Sequence, residues 1–124
     1  LFKNGGPVGK TVYLPKQGVP MDLYARNYEA FGITLGSYVY KYHKALPEIA
    51  RVVIRGAFGG QIRSEDFSDL DLSMALPKTQ EEIEQQMQPY RSQINAIRQG
   101  VFRVFGNYVQ TLANQQSFVE NLLI

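Results

Sequence analysis

The reading of the fold turns on one stretch: Ala50-Arg51-Val52-Val53-Ile54, then Gly56-Ala57-Phe58-Gly59-Gly60, then Ser68-Asp69-Leu70-Asp71-Leu72-Ser73-Met74-Ala75-Leu76. Residues 51–54 are apolar and β-branched, which reads as a short buried strand. Gly56, Gly59 and Gly60 break it. Residues 68–76 alternate strictly. Leu70, Leu72, Met74 and Leu76 fall on one face and Asp69, Asp71, Ser73 and Ala75 on the other, the pattern of a half-buried strand. Two strands joined by a glycine-rich loop predict a sheet, with both aspartates on its accessible side.

Upstream of this stretch, Tyr24, Tyr28, Phe31, Leu35, Tyr38, Tyr42 and Leu46 recur at spacings of three and four. They predict a helix of roughly twenty-two residues starting near Asp22. Gly32 and Gly36 inside it either admit another backbone or mark a bend. His43 sits where a positive charge favours a helix end, and Pro47 stops the helix. Residues 1–20 hold Gly5, Gly6, Gly9, Gly18, Pro7, Pro15 and Pro20, the punctuation of an extended arm with a short strand near 11–14. Gly9-Lys10-Thr11 resembles the end of a phosphate loop, but that motif needs a glycine where Asn4 stands.

Downstream, Thr79-Gln80-Glu81-Glu82 is a capping box. It opens a helix over about 79–99 whose apolar face holds Ile83, Met87, Ile94 and Ile97, with Pro89 kinking or dividing it and Gly100 as the end. Residues 101–105 read as strand or continued helix, and 118–124 as an ambiguous apolar close. The expected organisation is an arm over 1–20 and one α+β domain over 21–124, a small mixed sheet with flanking helices.

Composition sets the outer limits. The 124 residues are enough for one domain or a fragment of a larger one. At 44% hydrophobic and 19% charged the chain is globular rather than disordered. The lack of cysteine excludes disulfides, thiolate zinc sites and a cysteine nucleophile. No stretch approaches the roughly 18 apolar residues of a membrane span. The net charge of +2 hides a division, because residues 1–63 carry +6 and residues 64–124 carry −4. This places a cationic surface beside an acidic one, or reflects solvated helix faces of different sign.

Aspartates at i and i+2 on a strand lie a few ångströms apart, and like charges that close call for a cation. Hard carboxylate oxygens suit Mg²⁺. Helix, strand, glycine turn and Ser68-Asp69-Leu70-Asp71-Leu72-Ser73 together resemble the active-site core of the polymerase-beta-like nucleotidyltransferase superfamily, above all the noncanonical poly(A) polymerases and terminal uridylyltransferases. The resemblance covers residues 24–76 and implies an intracellular enzyme. It would transfer a nucleotide from an NTP to a hydroxyl such as an RNA 3′ end by two-metal chemistry. It implies Asp69 and Asp71 as Mg²⁺ ligands and Gly56, Ala57, Gly59, Gly60 and Ser68 as the phosphate site. Ala57 stands where the family has serine. Glu120 is the remaining candidate for the third carboxylate that such a site needs.

A second reading fits the same alternation. Asp69 and Asp71 would be the wet face of an edge strand, and the chain a noncatalytic α+β interaction module in a larger assembly. That module would be a degenerate nucleotidyltransferase, or a domain loosely similar to the ring-forming periplasmic domains of the flagellar-stator-associated FliL type.

Overall fold

The computed structural model describes residues 1–71, 75–106 and 112–123. Its described residues form an α+β arrangement in which the only sheet is a two-stranded antiparallel one. Strand β1 (Phe2–Asn4) pairs with β2 (Tyr13–Pro15), with Lys3 opposite Leu14. The helices are α1 (Met21–Tyr42), α2 (Arg51–Ala57), α3 (Gln80–Met87), α4 (Arg91–Phe105) and α5 (Leu112–Leu123). Short 3-10 turns occupy Ser64–Phe67 and Gln88–Tyr90. Among the described residues no helix is long and apolar enough to cross a membrane.

Helix α1 runs for 22 residues and is closed by His43, whose left-handed backbone (φ 58°) returns its N–H to the Val39 carbonyl. Its core side is formed by Tyr28, Gly32, Leu35, Gly36 and Val39. Tyr28 and Leu35 of the sequence stripe are fully buried, whereas Tyr24 and Tyr42 at its two ends are exposed.

Of the two roles open to Gly32, the close approach is the one observed. A side-chain carbon at Gly32 would lie inside van der Waals contact with the Ile97 carbonyl, with the Ile97 carbonyl carbon at 2.8 Å and Gly100 Cα at 3.0 Å. One at Gly100 would run into the Glu29 carbonyl and lie 2.7 Å from the Ile33 nitrogen. Gly36 faces Val101 and Val104 in the same crossing. Backbone therefore meets backbone where α1 and α4 cross, and a salt bridge between Arg103 and Glu29 flanks the contact. Gly100 was expected to end a helix. It lies inside α4, which continues to Gly106 (φ 58°). A glycine that admits a neighbour and one that stops a helix look the same in a sequence.

Residues 51–54 form helix, not the predicted strand. Val52, Val53 and Ile54 are all at most 1% exposed, and a segment buried on every side shows no periodicity by which helix and strand could be told apart. The predicted strand at 68–76 is not seen either. Residues 68–70 form a turn and bend after the 3-10 turn, Asp71 and residues 75–78 are irregular, and Leu72, Ser73 and Met74 lie outside the described residues. The two segments therefore do not form neighbouring strands.

The capping box is present in part: the Thr79 hydroxyl accepts from the Glu82 amide at 3.1 Å, while the Glu82 carboxylate takes the Lys78 amide. Pro89 divides α3 from α4, residues 101–105 continue α4, and residues 118–123 belong to α5. The amino-terminal segment is tied down as a hairpin. The Tyr28 hydroxyl donates to the Leu1 carbonyl at 2.6 Å, Gln93 Nε2 donates to the Lys16 carbonyl at 2.7 Å, and Tyr13 exchanges backbone hydrogen bonds with Glu48 and Ala50.

Candidate functional site

Helix α2 is seven residues long, and each of its ends needs partners for groups the helix cannot satisfy itself. At its start the Arg51 amide donates to Asp69 Oδ2 at 3.0 Å, so a side chain eighteen residues away performs the cap. At its end Gly59 (φ 83°) sends its N–H to the Gly56 carbonyl at 3.1 Å, and Gly60 sends its N–H to the Arg55 carbonyl at 2.8 Å. These two bonds, with a left-handed residue between them, make a Schellman closure.

Three of the residues expected to bind phosphate or metal, Asp69, Gly59 and Gly60, are thus caps of α2. Gly56 and Ala57 lie in the helix, and Ala57 is buried. The Gly59 and Gly60 amides are engaged by carbonyls. Ser68 is exposed and returns its amide to the Glu65 carbonyl. Asp69 and the Gly59-Gly60 turn sit at opposite ends of a helix about 10 Å long, rather than facing each other across a cleft. The Asp71 amide donates to the Gly5 carbonyl, and the residue borders a cavity of about 190 Å³ with Lys3, Gln86, Met87 and Tyr90.

Glu120 does not join the aspartates as a third ligand. Its Oε1 accepts from Arg55 Nη1 and lies near Arg63 Nη1, each at 2.7 Å. Arg55 is 2% exposed and also grips the fully buried Asp66 with two parallel bonds, Nε to Oδ2 at 2.9 Å and Nη2 to Oδ1 at 3.0 Å. Asp66 Oδ2 takes the Arg63 amide at 2.9 Å, and Arg51 Nη2 stands 3.6 Å from Oδ1. Arg51 Nη1 donates to the Leu123 carbonyl at 2.9 Å. Glu65 Oε1 lies 3.6 Å from Arg63 Nη1 and 3.9 Å from Arg55 Nη2, so three arginines and three carboxylates tie α2 to the following turn and to α5.

Burial by itself would lower the pKa of Arg55, but hydrogen bonds to Asp66 and Glu120 more than reverse this, and the guanidinium stays charged. The Arg55 hydrogen bond, helped by the charges of Arg55, Arg63 and Arg51, holds the Glu120 carboxyl below its usual range. A carboxyl lowered in the folded state stabilises it above the ordinary carboxylate pKa and loses that effect as the pH falls through the lowered value. Thermal midpoints measured across acid pH should therefore show the wild-type advantage over Glu120→Gln shrinking as pH drops through the carboxylate range and vanishing below it. A constant difference at every pH would contradict this.

The sequence did not single out Arg55, Asp66, Arg51 or Arg63. The available signal was the charge division, whose basic first half and acidic second half meet in this network. Of the carboxylates expected to hold Mg²⁺, Asp69 has one oxygen on the Arg51 amide and Glu120 lies between guanidinium groups. Asp69 Oδ1 is buried without a partner, a single donor atom beside an arginine. Among the described residues no three His, Asp or Glu side chains come together as a metal site. No family model, no curated protein and no solved structure matches the chain.

Proposed function

We propose that the chain is a noncatalytic α+β interaction module working within a larger assembly. The observation that carries this reading is the use of Asp69 and the Gly59-Gly60 turn as opposite caps of α2, which leaves the residues of the nucleotidyltransferase pattern with structural work.

The competing reading is transfer of a nucleotide from a Mg²⁺–NTP complex to an RNA 3′ hydroxyl, with Asp69 and Asp71 holding the metal. A terminal-transfer assay with labelled ATP and UTP on short RNA separates the two, run with wild type and Asp71→Asn. The expected result is no extended product. Extension by the wild type that disappears in Asp71→Asn, a substitution at an exposed side chain, would overturn the module reading.

A further inference from the structure

We infer that the cavity between the β1–β2 hairpin and helices α2 and α3 binds a small zwitterion, an α-amino acid with an apolar side chain. The module reading gives this cavity no role. Its volume is about 190 Å³. An apolar cavity of about 150 Å³ holds benzene, whereas drug-sized ligands occupy roughly 300–1,000 Å³. The space therefore suits one molecule of the size of leucine or methionine.

The walls divide into an apolar floor and a charged rim. Leu14, Val52, Phe67 and Met87 line the cavity, and all four are buried in the core. Lys3 and Asp71 are the charged residues of the lining, and both are exposed. Register places the first of them. Lys3 lies opposite Leu14, so the two side chains share a face of the hairpin, while Phe2 packs on Tyr28 and Phe31. The Lys3 ammonium stands 5.7 Å from the centre of the Tyr90 ring, and the Tyr90 hydroxyl accepts from Gln17 Nε2 at 2.9 Å. Asp71 is fixed through its amide, which donates to the Gly5 carbonyl at 2.8 Å, while the Gly5 amide donates to the Val12 carbonyl at 2.7 Å. One hairpin thus sets both rim positions.

Lys3 and Asp71 border one cavity, yet among the described residues neither forms an ion pair, with the other or with any third group. Residues 72–74, which follow Asp71 in the chain, are Leu, Ser and Met and add no charge. A ligand with a carboxylate and an ammonium on one carbon meets both rim charges, and its apolar side chain covers the floor. A phosphate or dicarboxylate would set its second charge against Asp71. A hydrocarbon would use the floor and leave both charges without a role. The Gln86 amide, on the same lining, has a donor and an acceptor for either head group.

The test is an NMR titration of the isotope-labelled full chain with leucine, without Mg²⁺ or NTP. The comparison ligands are isocaproate, which lacks the ammonium, isoamylamine, which lacks the carboxylate, and glycine, which lacks the side chain. Leucine should shift the amide signals of Gly5, Leu70 and Asp71 saturably in the millimolar range. Isocaproate and isoamylamine should each bind about fivefold more weakly, the upper end for a solvent-exposed ion pair, and glycine more weakly still. Asp71→Asn should weaken leucine about fivefold and leave isocaproate unchanged, while Lys3→Gln should weaken leucine likewise and leave isoamylamine unchanged. Both side chains are exposed and Asp71→Asn keeps the backbone bond to Gly5, so circular dichroism should find both variants folded. A merely structural role for either residue would weaken every ligand alike. That result, the absence of a saturable shift, or isocaproate binding as tightly as leucine overturns the assignment. The module reading is decided separately, by the transfer assay.

Discussion

Asp66→Ala should cost about 3–5 kcal/mol, the range seen when one partner of a buried ion pair is removed. Asp66 accepts two bonds from Arg55 and one from the Arg63 amide, and it is fully buried. Without it the Arg55 guanidinium keeps Glu120 at 2.7 Å and the more distant, exposed Glu65 at 3.9 Å, while still lying 2% exposed. Against a typical domain stability of about 5–15 kcal/mol, the variant is left marginal at best. Denaturant unfolding checks the size of the loss, and a double variant checks its cause. Arg55→Met/Asp66→Leu removes both charges together and should recover much of the deficit, because well-packed apolar replacements of buried pairs are often neutral or better. A single variant within about 1 kcal/mol of wild type would show that water reaches the pair and that the network holds little.

Gly100→Ala carries the second large effect, and its sign is the informative part. In an exposed helix the same change gains about 1 kcal/mol. Here the new methyl meets the Glu29 carbonyl and the Ile33 nitrogen, atoms of backbone that cannot rotate aside. The helices must separate, and every contact along the α1–α4 crossing loosens with them. Overpacking commonly costs about 1–3 kcal/mol, and a clash with two backbones belongs at or above the top of that range. At about 4 °C per kcal/mol the thermal midpoint should fall by about 12 °C or more. Gly32→Ala presses on the Ile97 carbonyl across the same crossing, so combining the two should cost less than their sum. A raised midpoint for Gly100→Ala would mean that the helices cross at a greater distance.

Local chemistry was legible in the sequence where one residue type has one dominant use. Thr79 before an acidic turn and Pro89 within a helical pattern did what those residues do, and the stripe of α1 predicted a helix near 22–45 where one runs from Met21 to Tyr42. The reading failed where two structures share a pattern. Val52-Val53-Ile54 has the β-branching of a strand, but tertiary burial on all sides overrode propensity. Gly59-Gly60 can cradle a phosphate or close a helix, and the choice depends on whether the preceding segment is helical. One error thus carried the other. Asp69 followed, since alternation describes a strand only if a neighbouring strand exists to pair with it. The charge division was visible, yet nothing local showed that its halves meet inside the molecule.

The spacing of the two carboxylates that hold Arg55 sets an order of assembly. Asp66 is 11 residues from Arg55 along the chain and Glu120 is 65. Closing the longer loop costs about 1.6 kcal/mol more in chain entropy if nothing has yet folded between them. The short loop from α2 through the 3-10 turn is therefore the cheaper to close, and it brings the still-charged arginine its first counter-charge. Helix α5 then arrives as a latch on a site already half made. During synthesis the gap is one of time as well as entropy, because Arg55 and Asp66 leave the ribosome together and Glu120 follows many residues later. Until Glu120 is present, one face of the guanidinium lacks the partner that it has in the folded chain.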